Sequence, residues 1–252
     1  MLIRWNETPS VDIDVSNSLV LLCVGSTEQH SDYLPLGTDS FIGENLGEAA
    51  AQLARCSVLM LPPVRTGFSP HHRAFPGYIT LSQNTMINYL MDICTCAYEN
   101  GAKHLMILNS HGGNQTCLQA VVNEIGSRLG KRAVLVRYWD LIASKIGEIR
   151  DSEPGGMGHA GELETSLMLF FRPDLVKAER IDERPPATGN EWHHPDMFAS
   201  NKVYIYKPFN EYSPKGNIGQ AHLGSQEKGG QIASLVINEL SKLMEFEIEK
   251  GF

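Results

Sequence analysis

The sequence lacks an excess of positive charge: 21 Lys and Arg against 29 Asp and Glu give a formal net charge of -8. A surface for nucleic acid or for anionic membranes needs the opposite balance, so neither is an expected partner, and a small-molecule substrate is. Also missing is any segment approaching the roughly 18 apolar residues that span a bilayer. The N-terminal MLIRWNETPSVDIDV has neither the positive start nor the apolar run of a signal peptide, so a cytoplasmic location is expected. Cysteine is sparse, five in all and odd in number. Cys94 and Cys96 stand two apart, which fits neither a paired-thiolate zinc site nor a thioredoxin motif, and the set reads as buried free thiols in a reducing compartment. With no repeat, low-complexity tract or linker, one domain over 1–252 is expected.

What is there is an ordinary globular composition, 42% hydrophobic and 20% charged in 252 residues, arranged as a β-α repeat. SLVLLCV at 18–24, SVLMLPPV, HLMILN and AVLVRYW are short apolar runs; an Ala-rich stretch to Arg55, Gln83 to Asn100, and Gln115 to Leu129 have helical spacing. Near-continuous Val, Leu and Ile in the strands predicts a mostly parallel sheet covered on both faces. Sites in such folds gather beyond the carboxyl ends of the strands. The polar motifs GSTEQH, SHGGN and RTGFSPHHRAFPG all follow strand patterns. From Glu183 to Lys215 the pattern loosens into a Pro- and aromatic-rich excursion, read as a lid or subunit contact, and Gln226 to Lys250 closes the chain as an amphipathic helix.

Within an extended segment Glu28 and His30 point to one face and can share a site. Asp39 precedes a helix pattern, where its competing role is an N-cap. His111 lies directly after a strand, in a loop whose Gly112 and Gly113 allow close approach of the backbone. His159 sits in a glycine-rich loop before a helix that carries Glu162 and Glu164 in its first turns. Leu167, Met168 and Phe171 follow Glu164 at three, four and seven positions, so Glu164 is expected on the buried stripe, and Glu162, followed by Thr165 and Ser166, is not. A buried carboxylate needs a cation, and a metal supplies one. Three carboxylates and two imidazoles suit Zn²⁺ or Mn²⁺, and two metals about 3.5 to 4 Å apart with a shared carboxylate would use all five.

GSTEQH, PLGTDS, FPGYITLS, NSHGGN and HAGELETS, in this order, resemble the creatininase (creatinine amidohydrolase) family over most of the chain. The resemblance implies a three-layer α/β/α sandwich with a mostly parallel central sheet, a homo-oligomer built as a hexamer or from dimers, and two Zn²⁺ or Mn²⁺ ions per chain. It implies one metal on Glu28, Asp39 and His111 and a second on His30, Asp39 and Glu164, with Asp39 as bridge. It further implies His159 as general acid or base, with Glu164 among the catalytic groups. His72 and Trp139 would line the substrate pocket with Gly112 and Gly113.

The chain departs from creatininase itself at two points. Gly113 stands where that enzyme has a carboxylate, and the plain glycines of PGGMG stand where it has an aromatic gate. Creatinine is therefore not the expected substrate; a small polar amide or formamide is. Two other readings stay open at this stage: a hydrolase that opens a cyclic sugar- or inositol-derived ketone, and a non-catalytic ligand-binding protein on the same fold. The pair His193 and His194 is weighed as a contribution to a neighbouring subunit's site.

Overall fold

The computed structural model describes all 252 residues. Five strands form one sheet: β1 (Leu2–Arg4), β2 (Leu19–Val24), β3 (Val58–Met60), β4 (His104–Asn109) and β5 (Val134–Arg137). Every pairing is parallel and the order is β1-β3-β2-β4-β5. Strands β2 and β4 pair over their full length, Leu19 opposite His104 through Val24 opposite Asn109, so both end level with each other. The edge strand β1, three residues long, carries too little pattern to be read from sequence.

Alternation along the strands sorts the core onto two faces. Leu19, Leu21, Cys23, Met106 and Leu108 point to one, packed by α1 (Thr38–Leu53), α4 (Glu162–Phe171) and α5 (Gln226–Glu249). Val20, Leu22, Val24, Leu105 and Ile107 point to the other, covered by α2 (Gln83–Glu99) and α3 (Gln115–Leu129). The result is the expected three-layer α/β/α sandwich with a parallel central sheet. Helix starts follow local chemistry: the Ser82 hydroxyl accepts from the Thr85 amide and the Ser225 hydroxyl from the Lys228 amide, each at 3.2 Å. The stop of α3 is Gly130 at φ 62°, a left-handed position that glycine takes without strain.

Several expectations are corrected. Only Cys23, Cys94 and Cys117 are buried; Cys56 is half-buried and Cys96 exposed. Residues 183–215 form no strand or α-helix, in keeping with the loose pattern there, and part of the segment walls one side of a cavity. No helix is long and apolar enough to cross a membrane.

Helix α4 departs most instructively. Glu162 is fully buried, more so than Glu164 at 3% exposure, although its helical neighbours are Thr165 and Ser166. Its cation is Lys228 in the first turn of α5, which also bonds Asp151 at 2.8 Å and the Leu223 carbonyl at 2.6 Å. Glu162 further accepts from the amides of Asp151 and Ser152 at 2.9 and 3.0 Å. Glu162 is the first residue of α4, so the pair anchors the helix at the end that carries Glu164. Lys228→Met, which strands the Glu162 carboxylate in the interior, is expected to lower stability by about 3 to 5 kcal/mol in urea unfolding; a loss below about 1 kcal/mol would mean that Glu162 is neutralised in another way.

Candidate metal centre

Beyond the carboxyl ends of β2 and β4 the chain gathers its buried charges. Strand β2 stops at Val24, so Glu28 and His30 are presented from the loop that follows, not from an extended strand. The turn is fixed by Ser31 at φ 62° and by the His30 and Leu34 bridge. Asn114 clasps three loops at once: its side chain donates to the Gly25 carbonyl and accepts from the Phe68 amide, each at 2.9 Å. Asp39 lies in the first turn of α1 but makes no capping bond; its carboxylate faces inward. His159 and Glu164 come from the loop and first turn of α4, where Ala160, at φ 50°, donates its amide to Glu164 at 2.6 Å.

These side chains form a continuous chain of contacts. Glu28 Oε2 lies 3.2 Å from His111 Nε2, His111 Nδ1 lies 3.1 Å from Asp39 Oδ2, Asp39 Oδ1 lies 3.3 Å from His30 Nε2, and His30 Nε2 lies 3.8 Å from Glu164 Oε2. Asp39 thus turns one oxygen to each imidazole. On the far side of Glu28, its Oε1 stands 3.0 Å from His72 Nε2 and 3.7 Å from His159 Nδ1. His159 Nε2 donates to the Gln29 carbonyl at 2.7 Å, since a carbonyl only accepts.

Electrostatics divides the histidines into two kinds. Burial disfavours charge on His30, yet the Asp39, Glu164 and Glu28 carboxylates outweigh it and hold the imidazole up at about 10. The same balance, with Glu28 and Asp39, puts His111 at about 9. Burial and neighbouring imidazoles hold His159 well below its ordinary range, and burial pushes His71 down to about 3 and His72 to about 2. Burial raises Glu164 to about 7 against the pull of His30, whereas His30 and His111 overcome burial at Asp39 and keep it ionised.

The buried oxygens and nitrogens test whether a metal fits. Glu28 Oε1, His30 Nε2 and Asp39 Oδ2 each face an imidazole or a carboxylate at 3.0 to 3.3 Å without the geometry of a hydrogen bond, and no Lys or Arg approaches any of the three carboxylates. Buried polar atoms in folded proteins are as a rule paired. Glu28, His30 and Asp39 bring ligand atoms within 4.8 Å of one another, as do His30, His159 and Glu164. A mixed set of imidazole and carboxylate donors is the chemistry of Zn²⁺ or Mn²⁺, so the residues fit such ions.

Seven of the ten residues singled out from sequence line one cavity or its floor: Glu28, Asp39, His111, Gly112, Gly113, His159 and Glu164. His30 lies buried behind Asp39 and completes the chain of contacts. Two expectations about the pocket wall fail. His72 is fully buried and turns inward onto Glu28, while its neighbour His71 lines the cavity. Trp139 is not a cavity residue: it is 3% exposed and packs edge-on to Tyr138 at 5.0 Å in the core. His193 and His194 stand on the wall of their own chain's cavity. Sequence reasoning missed Gln29, whose amide nitrogen lies 3.0 Å from His72 Nδ1 and 3.3 Å from the Gly216 carbonyl. It also missed Phe209, whose ring packs on His71, His72 and His159 at 4.6, 4.5 and 4.9 Å. Nothing in the local pattern at 209 signals a site 50 residues away.

Comparison with known proteins places the fold and the family. Creatinine amidohydrolase of Pseudomonas putida is 25% identical over 95% of this chain and 93% of its own. The 3-dehydro-scyllo-inosose hydrolase of Thermotoga maritima is 25% identical over 92% of this chain and 78% of its own. A mycofactocin precursor peptide peptidase of Mycobacterium ulcerans is 32% identical over 64% of this chain and 62% of its own. A solved manganese creatininase superposes with a TM-score of 0.81 at 23% identity, over 99% of this chain and 100% of that one, a likeness of fold. A sequence profile described as creatinine amidohydrolase matches residues 2–244, and the chain belongs to the creatininase family of hydrolases.

Proposed function

We propose that this chain is a dinuclear metal hydrolase that cleaves the carbonyl-nitrogen bond of a small polar amide or formamide. The observation that carries the reading is Asp39, a buried carboxylate with one oxygen turned to His30 and the other to His111 and no lysine or arginine beside it. Glu28, Asp39 and His111 would hold one ion, and His30, Asp39 and Glu164 the other. Relatives by fold are described as manganese and Zn-Zn creatininases, which supports Mn²⁺ or Zn²⁺ in this role. Such ions lower the pKa of water from about 15.7 towards 7 and polarise a carbonyl.

The protein's own groups manage the proton. His159 is neutral at rest, with its proton on Nε2 committed to the Gln29 carbonyl, so Nδ1 is free to accept. As water oxygen bonds to the carbonyl carbon, its proton passes to Nδ1; as the carbon-nitrogen bond breaks, Nδ1 returns that proton to the leaving nitrogen. Gly112 and Gly113 line the cavity, and their amides would stabilise the oxygen that gains charge. The cavity, about 600 Å³, carries Gln115, Thr116, Gln119, Arg137 and Lys207, which suits a polar substrate.

A second reading, hydrolytic opening of a cyclic ketone, is favoured by one observation: the inosose hydrolase matches as well as the creatinine amidohydrolase does. Release of an amine separates the two, because ketone ring opening yields none.

Elemental analysis should find about two Zn or Mn per chain, and Asp39→Ala should retain fewer than one, with hydrolysis lost. A native chain that stays metal-free after dialysis against both ions would overturn the proposal. His159→Ala should keep the metals and lose about 10² to 10⁴ in kcat.

Proton linkage gives a separate check. In metal-free protein the folded values of His30, about 10, and His111, about 9, lie above their ordinary 6.5. Their stabilisation is therefore complete below about pH 6.5 and lost as pH rises through 9 to 10; Glu164, raised to about 7, acts in the same sense. With chelator the Tm should fall between about pH 7 and 10, and metal uptake near neutrality should release protons in calorimetry across buffers. A Tm flat over that range would show that neither imidazole carries the charge.

A further inference from the structure

His71 is the histidine of this centre that hydrogen bonding does not use. His30, His72, His111 and His159 each have a ring nitrogen at hydrogen-bond distance from a protein group. His71 is held by ring packing alone. It stacks parallel on His111, with centroids 5.6 Å apart and 4° between planes, and tilts against His72 at 4.4 Å and Phe209 at 4.6 Å. That packing fixes the ring beside Glu28 and His111, and a nitrogen of His71 falls within 4.8 Å of ligand atoms on both. The ring lines the cavity.

Gly113 makes this position possible. A Cβ at 113 would stand 2.7 Å from His71 Cε1 and 2.6 Å from the Phe68 carbonyl oxygen, and would also meet His111 Nε2. Residue 113 and residue 71 therefore compete for one space beside His111, and in this chain the imidazole of 71 has it. A side chain held rigidly in a donor cluster, with no hydrogen bond to satisfy its nitrogens, is arranged as a ligand is.

We infer that His71 is a further ligand of the ion held by Glu28, Asp39 and His111. The inference rests on the dinuclear reading above. It makes the two positions chemically unequal: the first has two imidazoles and two carboxylates, the second one imidazole and two carboxylates. Imidazole suits Zn²⁺ better than Mn²⁺, so the first position favours zinc over manganese more strongly than the second does.

The test is a zinc titration of metal-free protein against a chromophoric chelator, comparing the native chain with His71→Ala, and the visible absorption of both after loading with Co²⁺. The native chain should bind two zinc ions. In His71→Ala one of the two should weaken by at least about 10-fold, the other should keep its affinity, and the absorption of one cobalt should change. Free imidazole added to the variant should reverse the loss. If His71→Ala does not fold, His71→Gln, which keeps bulk against Phe209, carries the same readouts. Two ions bound at native affinity with an unchanged cobalt spectrum, or both ions weakened alike, would overturn the role of His71 and leave the dinuclear site standing. A native chain that binds no zinc would overturn the dinuclear reading itself.

Discussion

Three carboxylates are buried together at one end of the sheet with no lysine or arginine among them. Each buried ion costs several kcal/mol after relaxation unless an opposite charge compensates it. Here the compensation is left to imidazoles and to whatever those imidazoles bind. Without a metal, His30 and His111 must hold protons that they would not hold in water. With one, the same nitrogens turn to ligation and the protons leave. The rest of the molecule serves this arrangement. Level ends of β2 and β4 bring Glu28, His30 and His111 together, and α1 and α4 supply Asp39 and Glu164 from their first turns, where the helix dipole by itself would favour an acid.

Helix α4 shows how sharply the fold separates a structural acid from a functional one. Glu162 and Glu164 are two residues apart and both buried. One is neutralised by Lys228 from the same chain; the other meets only His30 and the Ala160 amide. A permanent partner makes an anchor. A missing one leaves an opening that a dissociable cation can fill.

Much of the architecture was legible from the sequence, because strands buried on both faces and helices with one apolar stripe leave strong periodic traces. The four longer apolar runs became β2 to β5, and Gln115 to Leu129 is a helix with the bounds read from its spacing. The inward direction of Glu164 was legible for the same reason. The burial of Glu162 was not, since its partner stands 66 positions later in another helix. The pocket wall was harder still. Which of His71 and His72 turns outward depends on a single 3-10 turn at Pro70–His72, and neither that turn nor the inward packing of Trp139 has a period to read.

The clasp made by Asn114 bears on how the molecule acquires its site in time. One side-chain amide fastens loops that leave three different strands, joining Gly25, Phe68 and residue 114. Contacts this distant in sequence require long loops to close before they return any energy, and they form late. The pairing of β2 with β4 spans a comparable separation, Leu19 opposite His104, so the charged end is fastened by closures of the same kind that complete the sheet. A nascent chain would present its ligands as scattered, weakly binding groups until then. Until those loops close no metal position exists, so the affinity of the centre is a property of the folded chain and not of its separate ligands.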